Sequence, residues 1–167
     1  MSAPAPTPDV AKRPRNSLAG SYGHPIHPIL VTIPIGTWSA SLIFDIAAKA
    51  GHDTAAFAQG SRWLIGIGIL GALLAAIWGS IDFSAIPRGT VAYRTGLTHI
   101  CLNLAVIALY AINFFVRGDD ETVGTLPLIL SIVGIAVLGA SGFLGGKLAY
   151  RFGVRVADEQ TQAEGFR

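Results

Sequence analysis

Four apolar stretches constrain this chain more than anything else: residues 28–50, 63–81, 97–116 and 126–146, each 19 to 23 residues long. A bilayer core takes roughly 20 residues of helix. The second and fourth stretches carry no Asp, Glu, Lys or Arg at all. Four helices of a water-soluble bundle would each show a polar face, and these do not. The expected fold class is therefore all-α: an integral membrane four-helix bundle whose natural surroundings are a lipid bilayer. Charged residues make up only 13% of the chain, and the net charge of +2 is too small for nucleic-acid binding.

The distribution of charge orients the bundle. With four spans, both termini and the 82–94 loop share one side, which carries Lys12, Arg13, Arg15, Arg88, Arg94, Lys147, Arg151, Arg155 and Arg167. The other side carries Lys49, Arg62 and Arg117. The positive-inside rule then places both termini in the cytoplasm, N-in and C-in. The opening MSAPAPTPDVAKRPRNS holds basic residues but no apolar core, so it reads as a disordered tail and not a signal peptide. The expected organisation is a disordered cytoplasmic tail over 1–20, the transmembrane domain over 21–156, and a polar C-terminal tail over 157–167. GDDE at 118–121 reads as a solvated loop.

Within this greasy chain the histidines stand out. His24 and His27 lie in SYGHPIHP at the mouth of the first span, each before a proline, and His99 lies inside the third. Residues before proline avoid helical backbone, so both loop histidines are expected in an extended approach segment. Pro34 should kink the first helix. On the third helix Thr95, His99 and Asn103 make a polar stripe at four-residue spacing, which should face the other helices. At 1.5 Å per residue His99 lies about 12 Å along a helix starting at Val91. His24, His27, His99 and Asp82, which ends the second span, therefore converge on one side of the bundle.

Imidazoles gathered in hydrocarbon can ligate haem or a metal, or carry protons. Haem b iron accepts two axial imidazoles, and His99 with His24 or His27 could supply them, with Asp82 hydrogen-bonding a ligand ring. A divalent metal on His24, His27 and His99, a proton relay, and a hydrogen-bonded packing network are the other readings. The single cysteine, Cys101, excludes an internal disulfide and thiolate-clustered metal. No nucleophile–base pair is identifiable from spacing, which argues against an enzyme. No paired break marks a transporter. On the far side Asp45 should reach the level of Arg62 and form an ion pair with it. Small residues at Gly68, Ala72, Ala76 and Ser80, and at Ser141, Gly145 and Ala149, read as helix-packing stripes, or as a face for a second copy.

GHPIHPILVTIPIGTW, FDIAA, IWGSIDF, THICLNL and GFLGGKLAYRFGVRV occur in that order over residues 20–156. The pattern resembles the bacterial membrane-protein family catalogued as domain of unknown function 2231, whose third helix more often reads His-Ala-Leu-Leu-Asn where this chain has His-Ile-Cys-Leu-Asn. The resemblance implies a four-helix protein of the bacterial inner membrane. Some relatives look associated with Rieske-type iron–sulfur proteins, which points towards a membrane redox partner, a quinone or an iron–sulfur protein. The class set against this redox module is a structural subunit that assembles a larger membrane complex.

Overall fold

The long apolar stretches become helices that turn most of their surface outward. The computed structural model describes residues 9–117 and 121–167. In chain order these form α1 (Asp9–Lys12), a 3-10 turn (Ser17–Ala19), strands β1 (Gly20–Ser21) and β2 (His24–Pro25), α2 (His27–Leu30), α3 (Thr32–Lys49), α4 (Thr54–Phe83), α5 (Val91–Val116), α6 (Thr125–Gly146), a π turn (Lys147–Arg151), α7 (Glu159–Ala163) and a last 3-10 turn (Glu164–Phe166). Four spans, His27–Lys49, Thr54–Phe83, Val91–Val116 and Thr125–Arg151, are long and apolar enough to cross a membrane. Only 17% to 28% of each is buried inside the chain. Ile29, Ile43, Leu70, Ile77, Leu104 and Phe143 point outward, a surface that lipid solvates and water does not.

Local chemistry sets the boundaries. Asp53 caps α4 by accepting from the Ala56 amide, and Thr90 caps α5 by accepting from Tyr93. Gly51, at φ +86°, ends the first span where a left-handed residue is needed. Pro34 has no N–H for the Leu30 carbonyl, and the first span breaks at Val31 between α2 and α3, as the sequence suggests.

The packing is made by glycine against large side chains. A Cβ at Gly71 would lie 2.6 Å from Ile33 and one at Gly134 would lie 2.7 Å from the Tyr110 ring, while Gly68 sits directly against the Trp38 indole. At the centre Trp38 and Tyr110 stack with centroids 4.2 Å apart and planes 6° apart, among Ile65, Ala72 and Val106. Gly68 and Ala72 of the small-residue stripe of α4 therefore pack within the chain, while Ser80 is exposed. Trp78 donates to the Leu18 carbonyl, and Trp63 faces outward.

Asp45 is fully buried, but its partner is Arg117 and not Arg62. Arg117 Nη1 and Nη2 donate to the two carboxylate oxygens at 2.6 and 2.8 Å. Ser61 and Ser131 hydroxyls add donations at 2.6 and 2.9 Å, and Asn113 braces both Arg117 and Ser131. The reason is rotational. Ser61 takes the inward position on α4, and the next residue stands 100° round the helix. Arg62 instead lies over the Phe114 ring at 5.0 Å.

Of the expected tail, residues 1–8 lie outside the described residues, as do 118–120 of the expected loop. Residues 9–20 cross the mouth of the bundle. The Arg155 amide donates to the Ala11 carbonyl, and Arg155 Nη2 to the Ala19 carbonyl. Tyr22 donates to Asp158 and accepts from its amide. This terminal clasp sits beside the end of α4.

Candidate functional site

Two histidines are seated in the same way on two different helices. His27, the first residue of α2, reaches α4, where its Nδ1 lies 2.8 Å from the Ala75 carbonyl. Its ring rests on Gly79, one turn further on, where a Cβ would come within 2.9 Å of Cε1. His99, on α5, reaches α6, where its Nδ1 lies 2.8 Å from the Ser141 carbonyl and its ring rests on Gly145. A Cβ at Gly145 would stand 3.1 Å from His99 Cε1. Each imidazole thus uses a carbonyl at one position and a glycine four residues later.

That seating fixes the tautomer. A carbonyl oxygen only accepts, so each Nδ1 carries the hydrogen and each Nε2 keeps its lone pair. The amide of Asn103 donates to His99 Nε2 at 3.0 Å, which agrees with this assignment. The Ser141 hydroxyl lies 2.9 Å from His99 Nδ1 and donates to the His99 carbonyl.

Both rings and Asn103 line two adjoining cavities of about 300 and 330 Å³. The walls they share are apolar or small, including Ala76, Ile107 and Gly145. One cavity extends to Asp82 and Arg155, the other to Trp38 and Tyr150. Asp82 does not face an imidazole through a hydrogen bond. It forms an ion pair with Arg155, Nε to Oδ1 at 2.8 Å, and the imidazoles take backbone carbonyls as their partners.

His27 and His99 are therefore brought together, with Asp82 at one end of their cavity. His24 is not. It is exposed in β2, with Nδ1 3.4 Å from the Tyr22 carbonyl, and lines neither cavity. Among the described residues no group of three or more His, Cys, Asp and Glu side chains is placed to hold a metal ion. His27 also differs from the extended backbone expected before proline. Pro28 falls in the first helical turn, where its missing N–H costs nothing, and the helix begins one residue before it. Of the glycines under the rings, Gly145 is legible in the sequence only as a packing position and Gly79 not at all, and Arg155 only as a topology charge.

Outside the spans, Asp158 is held below the ordinary carboxylate range. Hydrogen bonds from the Thr161 amide and hydroxyl stabilise its charged form, followed by that from the Tyr22 hydroxyl.

Residues 23–158 match a family model described as "Predicted membrane protein (DUF2231)". Comparisons with curated proteins and with solved structures gave no match.

Proposed function

The chain belongs to this family of predicted membrane proteins, and on that footing we propose that it is a non-enzymatic redox module holding haem b between His27 and His99. The paired seating of the two imidazoles carries the reading. Each ring is oriented through Nδ1 by a backbone carbonyl, the arrangement that fixes ligating histidines and raises the basicity of Nε2. Nε2 lone pairs lining an apolar cavity suit a Lewis acid. A quinone carbonyl, which only accepts, would find no donor at either Nε2 and would have to take Asn103 or Arg155 in place of the imidazoles. A discrete divalent ion needs more donors than the two imidazoles supply, whereas haem iron brings four of its own and takes two axial imidazoles.

When bound, haem b supplies a one-electron ferric–ferrous couple. The residues of the chain do the rest. His27 and His99 ligate, Ala75 and Ser141 carbonyls hold their rings, Gly79 and Gly145 leave room for the imidazoles, and Asn103 releases His99 Nε2. The charge asymmetry between the two sides supports a cavity on the cytoplasmic side of a bacterial inner membrane. There it can meet a quinone or an iron–sulfur partner.

The protein purified in mild detergent from haem-sufficient cells is expected to show a Soret band. His27→Ala and His99→Ala each remove the bis-imidazole spectrum, and His24→Ala retains it. A folded, colourless protein that takes up no added haemin overturns the reading. If such a protein is recovered only in stoichiometric complex with another membrane subunit, the assembly role stands in its place.

A further inference from the structure

Arg155 is a cation buried at the end of the histidine cavity with more donors than the fold uses. It is 4% exposed, and its backbone sits at φ +61°, a conformation that a side-chain-bearing residue adopts only when held there. The holding bonds are its amide to the Ala11 carbonyl and Nη2 to the Ala19 carbonyl. Asp82 approaches Nε at 2.8 Å, but off-line for a hydrogen bond, and Nη1 has no acceptor among the described residues. A buried guanidinium N–H without an acceptor is costly, and native proteins rarely leave one.

The surroundings define what could meet it. The cavity that Arg155 shares with His27 and His99 is lined mostly by apolar or small residues, Phe83, Ile86, Leu148 and Val154 among them, with Asp82, Asn103 and Ser80 as its other polar side chains. A second cation lies near in the same terminal segment: a Cβ at Gly153, two residues before Arg155, would lie 3.1 Å from Lys12 Nζ. A ligand that fits has an apolar body and an anionic oxygen at one edge. Guanidinium–carboxylate pairing is the strongest match that Arg offers.

We infer that Arg155 receives a propionate carboxylate of the porphyrin bound by His27 and His99. This rests on the haem reading and adds the orientation of the ring, with its acidic edge towards the terminal clasp. Asp82 competes with that carboxylate for Arg155. Removing its charge therefore strengthens binding of the acid, where a purely structural ion pair would only weaken the protein.

The test titrates the full-length apoprotein in detergent with haemin and with haemin dimethyl ester, whose carboxylates are blocked. The wild type is expected to bind haemin about tenfold or more tightly than the ester, as a charge-assisted bond implies. Arg155→Gln should lose that preference, with the ester affinity and the bis-imidazole spectrum unchanged. Asp82→Asn should raise haemin affinity severalfold and leave the ester alone. If Arg155→Gln does not fold, the wild-type and Asp82→Asn comparisons still decide. Equal wild-type affinity for the two porphyrins, or an Asp82→Asn effect equal for both, overturns the propionate assignment while the haem reading survives. Absence of any Soret shift with either porphyrin overturns both.

Discussion

Two polar clusters lie inside one apolar bundle, on either side of the stacked Trp38 and Tyr110, and they are built to opposite standards. Around Asp45 each carboxylate oxygen receives two donors, one from Arg117 and one from a serine. Around His27 and His99 both rings are held at Nδ1, only His99 Nε2 takes a further bond, from Asn103, and both rings line cavities. In hydrocarbon an unmatched polar group is expensive. A saturated network there fixes the helices, whereas a half-matched one that borders a cavity marks a place for a ligand. Tyr110 belongs to both regions: its hydroxyl donates to the Ser131 carbonyl and its ring stacks on Trp38, which lines the second cavity.

The sharpest way to break this contrast is to remove one charge from the saturated cluster. Asp45→Ala leaves Arg117 buried without a counterion and should cost about 3–5 kcal/mol of stability, read by chemical denaturation in detergent. Whatever fraction stays folded should keep its haem spectrum. Loss of the spectrum in a well-folded Asp45→Ala protein would merge the two clusters into one functional unit.

The next effect is steric. Gly145→Ala puts a methyl 3.1 Å from His99 Cε1, tight enough to push the ring. The expected destabilisation is about 1–3 kcal/mol, with a clear drop in haemin affinity measured by titration. Gly139→Ala, on the same helix where a Cβ meets nothing within 4 Å and which lines neither cavity, should leave haemin affinity unchanged and should not destabilise the helix. Equal effects at the two glycines would remove the ring-seating argument.

His99→Ala reverses the pattern seen at Asp45. It gives up the ring bonds to Ser141 and to Asn103, and stability should fall by about 1–2 kcal/mol while bis-imidazole coordination of the haem is lost.

The smallest effect concerns pH at the terminal clasp. The folded pKa of Asp158 is depressed, so its contribution is complete above the ordinary carboxylate pKa of about 4 and fades as pH drops through the lower folded value. Amide exchange at Arg155, whose N–H is held by Ala11, should accelerate over that acidic window in wild type. In Asp158→Asn the exchange should not change across it.

The spans were legible because their signal is simple: 20 apolar residues need no tertiary knowledge. Pro34 and Gly51 were equally plain, because their backbone chemistry acts locally. The convergence of His27, His99 and Asp82 followed from counting residues along three helices. What failed was rotation and reach. Depth alone matches Asp45 to Arg62, yet one residue is 100° of helix, and Ser61 holds the inward place. Asn113 and Arg117 continue the stripe of His99 and Asn103 along α5, a signal present in the sequence that would have named the partner. His24 and His27 look alike in HPIHP, but only the second starts a helix that packs on α4, and no local pattern separates them. Arg155 is set by contacts with Ala11 and Ala19, more than 130 residues away, which no spacing rule reaches.

The account stands most directly on the ligand set of the proposed haem, and low-temperature electron paramagnetic resonance of the ferric protein reads that set. The wild type is predicted to give a low-spin bis-imidazole signal, converted to a high-spin signal in His27→Ala and in His99→Ala, and untouched in His24→Ala. A low-spin signal that survives loss of either His27 or His99, or a folded protein that yields no haem signal after reconstitution, would contradict it.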